Sequence, residues 1–233
     1  MAEQTLPHAE TAARRTTGVL PYQALAALVR SGEIQASCPV EPAQLQPASI
    51  DLRLGATAWR VRASFLPGPK RTVAEQIESF GLHEIDLTGG ALLERDCVYI
   101  VPLLESLALS PALSGVANPK SSIGRLDVFT RLITDQGADF DIVPRGYRGP
   151  LYVEIFPRTF SIIARTGSRL NQLRLTRGTP DMREAELKRL LDNNELLDRT
   201  LSEREIGTLF RGVPLSVDLA GIGGSQRIGY KAR

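Results

Sequence analysis

The sequence predicts a mainly β domain, arranged as a β-sandwich or a β-barrel. Short segments in which apolar and polar residues alternate recur between residues 49 and 175. Glycine, proline, aspartate and asparagine interrupt these segments at intervals that are typical of hairpins. Only one stretch before residue 179 has the spacing of an amphipathic helix. Many short strands combined with few helices are characteristic of sandwiches and barrels.

One helix and eight strands are predicted in this part of the chain. Pro21 suits the first turn of a helix over residues 21–31, and Gly32 suits its end. Alternation within residues 49–54 places Asp51 and Arg53 on the polar face of the first strand. The predicted strands are residues 49–54, 59–63, 97–103, 106–109, 128–134, 151–156, 160–164 and 170–175.

The pattern changes after residue 178. A helix is expected from Thr179 to about residue 198, with leucines at positions 187, 190, 191 and 197. The run PASIDL at residues 47–52 returns as PLSVDL at residues 214–219, which indicates a repeated domain. We expect a flexible N-terminus (1–17), a β domain (18–178), a helical linker (179–212) and the incomplete start of a second copy (213–233).

The composition restricts the class of protein. Of the 233 residues, 42% are hydrophobic, and the formal net charge of +2 favours neither nucleic acid nor an anionic membrane as a partner. Cys38 and Cys97 cannot build a disulfide framework, which favours a cytoplasmic location. The sequence contains no apolar run long enough to span a membrane. His8 and His83 do not adjoin a cysteine, so no zinc site is expected.

Two segments carry groups suited to phosphate and sugar. The run NPKSSIGRL at residues 118–126 places two hydroxyls and two cations at a helix start, a combination that binds phosphate oxygens. Its alternative is a serine helix cap beside a surface lysine and arginine. The run DFDIVPRGYRG at residues 139–149 predicts a hairpin on which a ring can stack. Its alternative is an ordinary β-turn with a core tyrosine.

Two further segments carry an acid and an amide. Glu154 lies between Tyr152 and Phe156 on one face of a predicted strand. Partial burial there would disfavour the charged carboxylate, as an acid–base catalyst requires; the alternative is a hydrated carboxylate on an edge strand. The run GSRLNQLRL at residues 167–175 predicts a turn and a strand that carries Gln172 among cations. Its alternative is a plain strand with polar residues facing outward.

Together and in this order, the segments resemble the dCTP deaminase family of the trimeric dUTPase-like superfamily. The resemblance covers residues 18–176 and rests on the runs LQPASIDLRLG, PKSSIGRL, GYRG and GSRLNQLRL. It implies a distorted β-barrel or jelly roll of the dUTPase-like (β-clip) type, with an N-terminal helix and a C-terminal bridging helix. Glu154 stands five residues after Gly149, where deaminases have glutamate and dUTP-hydrolysing relatives have an apolar residue. The repeat further suggests the longer, tandem form of the family.

The resemblance implies zinc-independent, hydrolytic deamination of dCTP to dUTP and ammonia. Glu154 would be the general base, Ser121 would position the water, and Arg125 would hold Glu154 and polarise the base. Mg²⁺ would arrive with the triphosphate, and sites would lie between copies of the chain in a trimer-like assembly. The residues implied to bind nucleotide are Lys120, Ser122, Ile123, Gly124, Asp141, Tyr147, Tyr152, Val153 and Gln172, with Asp139 as the alternative to Asp141.

Three departures from the family pattern keep alternatives open. The loop before Tyr147 is longer, Lys120 replaces a common arginine, and the helix after residue 178 occupies the place of a phosphate-covering tail. The alternatives are a dUTP diphosphatase, a bifunctional deaminase and diphosphatase, and a nucleotide-binding domain without catalysis.

Overall fold

The computed structural model describes residues 17–179, 184–193, 201–202, 206, 219–221 and 227–229. The chain divides into two units, the first ending at Gly178 and the second beginning at Thr179. In the described part, the first unit contains thirteen strands and three α-helices. These are β1 (Gly18–Val19), α1 (Tyr22–Ser31), β2 (Ile34–Ala36), β3 (Ile50–Leu52), β4 (Thr57–Val61), α2 (Val73–Phe80), β5 (Gly81–Asp86), β6 (Ala91–Leu93), β7 (Val98–Ala108), β8 (Leu113–Pro119), α3 (Ser121–Gly124), β9 (Val128–Thr134), β10 (Ile142–Val143), β11 (Arg148–Pro157), β12 (Ile162–Ala164) and β13 (Asn171–Arg177).

The mainly β character is confirmed, and so is the helix near the N-terminus. Pro21 precedes α1, and Gly32 ends it in the left-handed region at φ 77°, with its N–H bonded to the carbonyls of Leu28 and Val29. The predicted strands 97–103 and 106–109 are one strand, β7, in which Glu105 pairs with Ala36 of β2 where the register with β11 shifts. The sequence analysis missed α2, although Thr72 and Glu75 form a capping box at its start.

The strands form two main antiparallel sheets. In the five-stranded sheet the order is β1-β13-β8-β10, and β3 also pairs with β13. In the six-stranded sheet the order is β5-β4-β7-β11-β9, and β2 also pairs with β7. A small third sheet pairs β6 with β12. The order puts β11 between β7 and β9, so a residue at its centre has a strand on each side.

The core lies on both faces of the six-stranded sheet. Leu151 packs with Leu173 of the five-stranded sheet and Leu25 of α1, so one face of the sheet is covered by the other sheet and the helix. On the opposite face, Ile100 and Ile133 pack in a smaller cluster with residues of α2. Burying both faces removes apolar area from water on each side of β11.

The second unit contributes one described helix, α4 (Glu184–Asp192), within the predicted helix of residues 179–198. The second copy of the repeated run and the predicted linker fall mostly outside the described residues. No described helix combines the length and apolar character needed to cross a membrane.

Candidate active site

Glu154 is a buried acid at the centre of the six-stranded sheet. It pairs with Ile100 of β7 on one side and with Arg131 of β9 on the other. Leu151, Val153 and Ile155 face the core with no exposed area, as the alternation predicted. Glu154 is on the other face and is only 2% exposed. The alternative of a hydrated edge carboxylate is therefore wrong, since α2 and its neighbours cover this face.

The partner of Glu154 is Arg131. Glu154 Oε1 accepts hydrogen bonds from Arg131 Nε at 3.0 Å and from Arg131 Nη2 at 2.5 Å. Glu154 Oε2 is buried and has no hydrogen-bond partner among the described residues. The resemblance implies that Arg125 holds Glu154; within the described chain Arg131 binds Glu154, and Arg125 makes no hydrogen bond or ion pair with it. Antiparallel register places Arg131, which the sequence analysis had not singled out, directly across the strand pair.

Two further groups fix the Arg131 guanidinium. Its Nη2 donates a hydrogen bond to Ser64 Oγ at 3.0 Å, and its central carbon, Cζ, lies 3.9 Å from the centre of the Phe140 ring. A guanidinium stacked on an aromatic face gains cation–π attraction and loses rotational freedom. The side chain of Arg131 remains 37% exposed, so the charge is still in contact with solvent.

Asp141 lies in the electrostatic environment of the same pair. Its backbone is left-handed at φ 64°, and its Oδ1 accepts a hydrogen bond from the Leu132 N–H at 2.8 Å. Burial raises the pKa of Asp141; the Leu132 hydrogen bond and the charge of Arg131 oppose that rise, and the charge of Glu154 adds to it. Asp139, the alternative sugar ligand, is exposed. The structure thus brings Asp141, and not Asp139, into the surroundings of Glu154.

The phosphate-suited segment forms a short turn after β8. Lys120 precedes α3 without a capping side chain, and Ser121 and Ser122 are exposed. Within the described residues neither serine hydroxyl donates or accepts a hydrogen bond, so the serine-cap alternative is wrong. Arg125 is exposed as well, whereas Ile123 packs against the core. Gly124 is open to solvent, and a Cβ there would meet nothing within 4 Å.

The repeated run at residues 47–52 contacts Lys120, at the start of the α3 turn, and Gln172 of β13. Lys120 Nζ forms an ion pair with Asp51, whose side chain is 2% exposed. Ser49 Oγ donates a hydrogen bond to Gln172 Oε1 at 3.2 Å. The strand face that was predicted to point outward is therefore buried. Its polar residues contact Lys120 and Gln172, two of the residues predicted to bind nucleotide. The repeat is the sequence signal that could have marked these residues, because Ser49 and Asp51 recur at equivalent positions of its second copy.

The hairpin tyrosine is partly a structural residue. Tyr147 packs against the main core, and its hydroxyl donates to the Pro150 carbonyl at 2.6 Å and accepts from the Asp135 N–H at 3.1 Å. Burial raises the pKa of Tyr147 well above that of an ordinary tyrosine. The tyrosine also lines an open cavity of about 510 Å³ together with Pro69, Asp135, Gln136, Pro144 and Arg148. One edge of its ring is therefore available beside the hairpin.

The predicted residues fall into two groups. Glu154 and Asp141 surround Arg131, and Tyr152 is half-buried on the same face as Glu154. Val153 does not join them, because its side chain is fully buried on the opposite face. Ser121, Ser122, Lys120 and Arg125 form the second group around α3. Throughout the described part of the chain, no hydrogen bond or ion pair connects Glu154 to Ser121 or Arg125.

The described residues contain no cluster of three histidine, cysteine, aspartate or glutamate side chains arranged to hold a metal ion. The second group instead offers hydroxyls and cations, which suit the oxygens of a phosphate chain. A divalent cation bound there would depend on phosphate oxygens for its ligands.

Comparison with known proteins places these features among nucleotide enzymes. Residues 16–179 match the family described as the 2'-deoxycytidine 5'-triphosphate deaminase (DCD) N-terminal domain. A dCTP deaminase of Halorubrum lacusprofundi is 29% identical over 146 residues, covering 57% of this chain and 64% of that protein. The crystal structure of 2'-deoxycytidine 5'-triphosphate deaminase from Agrobacterium tumefaciens is 52% identical, with a TM-score of 0.73, covering 77% of this chain and 54% of that one.

This chain therefore spans less than two thirds of the length of both deaminases. A native dUTPase of EIAV is 14% identical and has a TM-score of 0.38, which is too low to support an inference.

Proposed function

Because this chain belongs to the dCTP deaminase family, whose N-terminal domain matches residues 16–179, we propose that it catalyses the hydrolytic deamination of dCTP to dUTP and ammonia. The observation that supports the reaction is the state of Glu154. One carboxylate oxygen is held by Arg131, and the other is buried without a hydrogen-bond partner in the part of the chain that the structure describes. A buried acid with one free oxygen is suited to take a proton from water and return it to the substrate.

The proposed reaction moves both protons of one water molecule. The water oxygen bonds to C4 of cytosine while Glu154 Oε2 takes the first proton and delivers it to ring nitrogen N3. The second proton then passes from the C4 hydroxyl to the exocyclic amine. The C4–N bond breaks, ammonia leaves, and the C4 carbonyl of uracil forms. No redox partner is required, and Glu154 returns to its starting state.

We propose that a second copy of the chain completes each site. Ser121 and Arg125 are exposed and have no contact with Glu154 in their own chain, so their predicted roles require a Glu154 from another subunit. Ser121 would then position the water, and Arg125 would polarise the base and stabilise the developing charge. This arrangement gives the free hydroxyls and the free guanidinium of the α3 turn a partner.

The remaining predicted residues would bind the nucleotide. Lys120 has three N–H donors, and its ion pair with Asp51 leaves others for phosphate oxygens. Ser122 would add a hydroxyl donor, and Gln172 an amide. Mg²⁺ would be carried by the triphosphate. Asp141 would contact the deoxyribose hydroxyl, and Tyr147 would pack against the sugar beside the cavity.

The test is a product assay with dCTP and with dUTP on the wild-type chain and on Glu154→Gln. Ammonia from dCTP is expected for the wild type, and a loss of about 10²–10⁴-fold for Glu154→Gln. Glu84→Gln, an exposed acid of the same sheet, is the control and should retain activity. Ammonia release by Glu154→Gln at the wild-type rate would refute the assignment, and pyrophosphate from dUTP would favour the diphosphatase or bifunctional alternative.

The assembly and its compartment are part of the same proposal. Sedimentation of the active species should give a multiple of the 25.4 kDa chain mass. Mixing Glu154→Gln with Ser121→Ala should restore activity if the two residues come from different copies. No recovery in mixed assemblies would place both residues in one chain. The unpaired thiols of Cys38 and Cys97 fit a reducing cytoplasm.

A further inference from the structure

We infer that Arg131 is a positioning residue, which holds Glu154 through Oε1 and thereby presents Oε2 to the reacting water. The inference rests on the proposed function, since it assigns a role to the group that binds the proposed base. Arg131 itself is not placed in contact with the substrate. Its action is to hold one oxygen of the carboxylate in a fixed direction, so that the other oxygen has a fixed direction too.

The hydrogen bonding of the Glu154 carboxylate is uneven. A buried ionised carboxyl group normally has donors on both oxygens, because a buried acceptor without a partner is destabilising. In Glu154 both donors of Arg131 converge on Oε1. An unequal arrangement of this kind, in a side chain that is 2% exposed, requires an explanation. Reserving Oε2 for a reacting molecule provides one.

The guanidinium of Arg131 is held in place before any substrate binds. The strand register sets Arg131 opposite Glu154, Phe140 stacks on the guanidinium, and Ser64 takes one N–H. These three restraints come from different parts of the chain. The Arg131 side chain is 37% exposed, so these contacts fix the direction of its guanidinium and do not serve mainly to bury it.

Electrostatic interactions also link Arg131 to Glu154. Arg131 is the cation that faces Glu154, and Asp141 is the acid whose charge also acts there. Without the guanidinium, two acids would share a partly buried site, and a buried carboxyl group without a cationic partner binds its proton more tightly. Removal of the guanidinium would therefore leave negative charge uncompensated at the site, a change that a kcat–pH profile detects.

The test compares Arg131→Met and Arg131→Lys with the wild-type chain. For Arg131→Met we expect kcat to fall by about 100-fold, since a misplaced catalytic group has an effect of that size, while KM for dCTP stays within about threefold. The acid limb of its kcat–pH profile should move to higher pH. Arg131→Lys should return that limb toward the wild-type position through its charge. It should recover only part of kcat, because an ammonium group lacks the planar fork of donors.

Two further variants separate positioning from folding. Phe140→Leu keeps the charge and removes the stacking surface, so a smaller loss of kcat with an unchanged acid limb is expected. Arg60→Met, which breaks an exposed ion pair with Glu94 in the same sheet, should leave kcat and the profile unchanged. Thermal unfolding of each variant shows which of them are folded at the assay temperature.

The outcomes also distinguish the inference from the proposed function. A wild-type chain that releases no ammonia from dCTP refutes the proposed function. An active wild type with an inactive Glu154→Gln, but with Arg131→Met at the wild-type kcat and pH profile, refutes the positioning role alone. A folded Arg131→Met with a raised KM and an unchanged kcat would overturn it in favour of a substrate-binding arginine.

Discussion

Two buried glutamate–arginine pairs lie on neighbouring strands of this protein and are built in different ways. Glu105 of β7 uses both oxygens: Oε1 accepts from Arg53 Nε at 2.7 Å and from Gln44 Nε2 at 2.8 Å, and Oε2 accepts from the Arg53 N–H at 2.7 Å. Among the described residues Glu154 of β11 accepts hydrogen bonds at Oε1 only, and its arginine is partly exposed. We call them the closed pair (Glu105–Arg53) and the open pair (Glu154–Arg131).

The difference separates a pair whose acceptors are all used within the protein from a pair that leaves one oxygen for the proposed reaction. In the closed pair, Arg53 also donates to the carbonyls of Cys38 and Pro39, so the connector after β2 is tied to the sheet. Nearly every polar group there has its partner, and a reacting molecule would have to displace a protein hydrogen bond. In the open pair one oxygen is left over. Removing one partner of a fully bonded buried pair is strongly destabilising, whereas a buried acceptor without a partner keeps a site for a further hydrogen bond.

The largest expected effect comes from breaking the closed pair. Arg53→Met leaves Glu105 buried without its cation and should lower the free energy of unfolding by about 3–5 kcal/mol. Arg60→Met, at the exposed pair with Glu94, should cost about 0–1 kcal/mol. Urea unfolding at pH 7 measures both. Equal losses in the two variants would show that the closed pair contributes no more than a surface pair.

A smaller loss is expected when the closed pair keeps its arginine but loses its third partner. Gln44 is fully buried and donates to Glu105 Oε1 and to the Asp51 carbonyl. Gln44→Leu should cost about 1.5–3 kcal/mol, the range for hydrogen bonds to charged groups. The same urea experiment tests it. An unchanged free energy of unfolding would mean that the Arg53 contacts alone satisfy Glu105. The hydrogen bond from Gln44 would then contribute nothing to the closed pair.

In the open pair, removal of the charge should have little effect on stability. Glu154→Gln retains an acceptor toward Arg131, and the partly exposed guanidinium stays hydrated, so the free energy of unfolding should change by less than about 1 kcal/mol. Comparison of this value with the loss of activity of the same variant tests the separation directly. A loss of stability as large as that of Arg53→Met would remove the distinction between the two pairs.

The smallest expected effect is a pH dependence near the open pair. Burial raises the pKa of Asp141, so the folded protein retains that proton to higher pH than the unfolded chain. The free energy of unfolding should therefore fall as pH rises from about 4, the ordinary carboxyl range, through the raised folded value. Asp141→Asn should lack this fall, and exposed Asp139→Asn should retain it. Parallel pH profiles for Asp141→Asn and the wild type would contradict the assignment.

Sequence alone placed Glu154 on its face of the strand but did not identify its ion-pair partner. Alternation within residues 151–156 placed Glu154 opposite the core face, and the structure agrees. Arg131 could not be found in the same way, because the partner of a strand residue depends on register with a strand more than twenty positions away. Arg125 was named because it lies in the run PKSSIGRL, which carries the family resemblance. Register is set by the whole sheet, so local spacing does not reveal it.

The fold was predictable where elements follow a simple period. The predicted strand over residues 151–156, in which core-facing residues alternate, lies within β11, and the predicted strand over residues 128–134 has the bounds of β9. The long strand β7 was divided in two because a buried acid, Glu105, interrupts its apolar pattern. The burial of Asp51 also broke the expected rule, since its partner Lys120 lies far along the chain. Buried charges are allowed by distant partners, which alternation does not report.

The pairing of β1 with β13 has a consequence for folding during synthesis. Gly18 lies opposite Arg177, so the five-stranded sheet joins the beginning and the end of the domain. Its last strand emerges from the ribosome after every strand of the six-stranded sheet, which ends at Pro157. Glu154 and Arg131 can therefore meet before the Lys120 turn gains its neighbour Gln172. Until residue 177 is synthesised, β1 has no partner strand in this sheet. During this interval its unpaired edge can pair with a wrong strand.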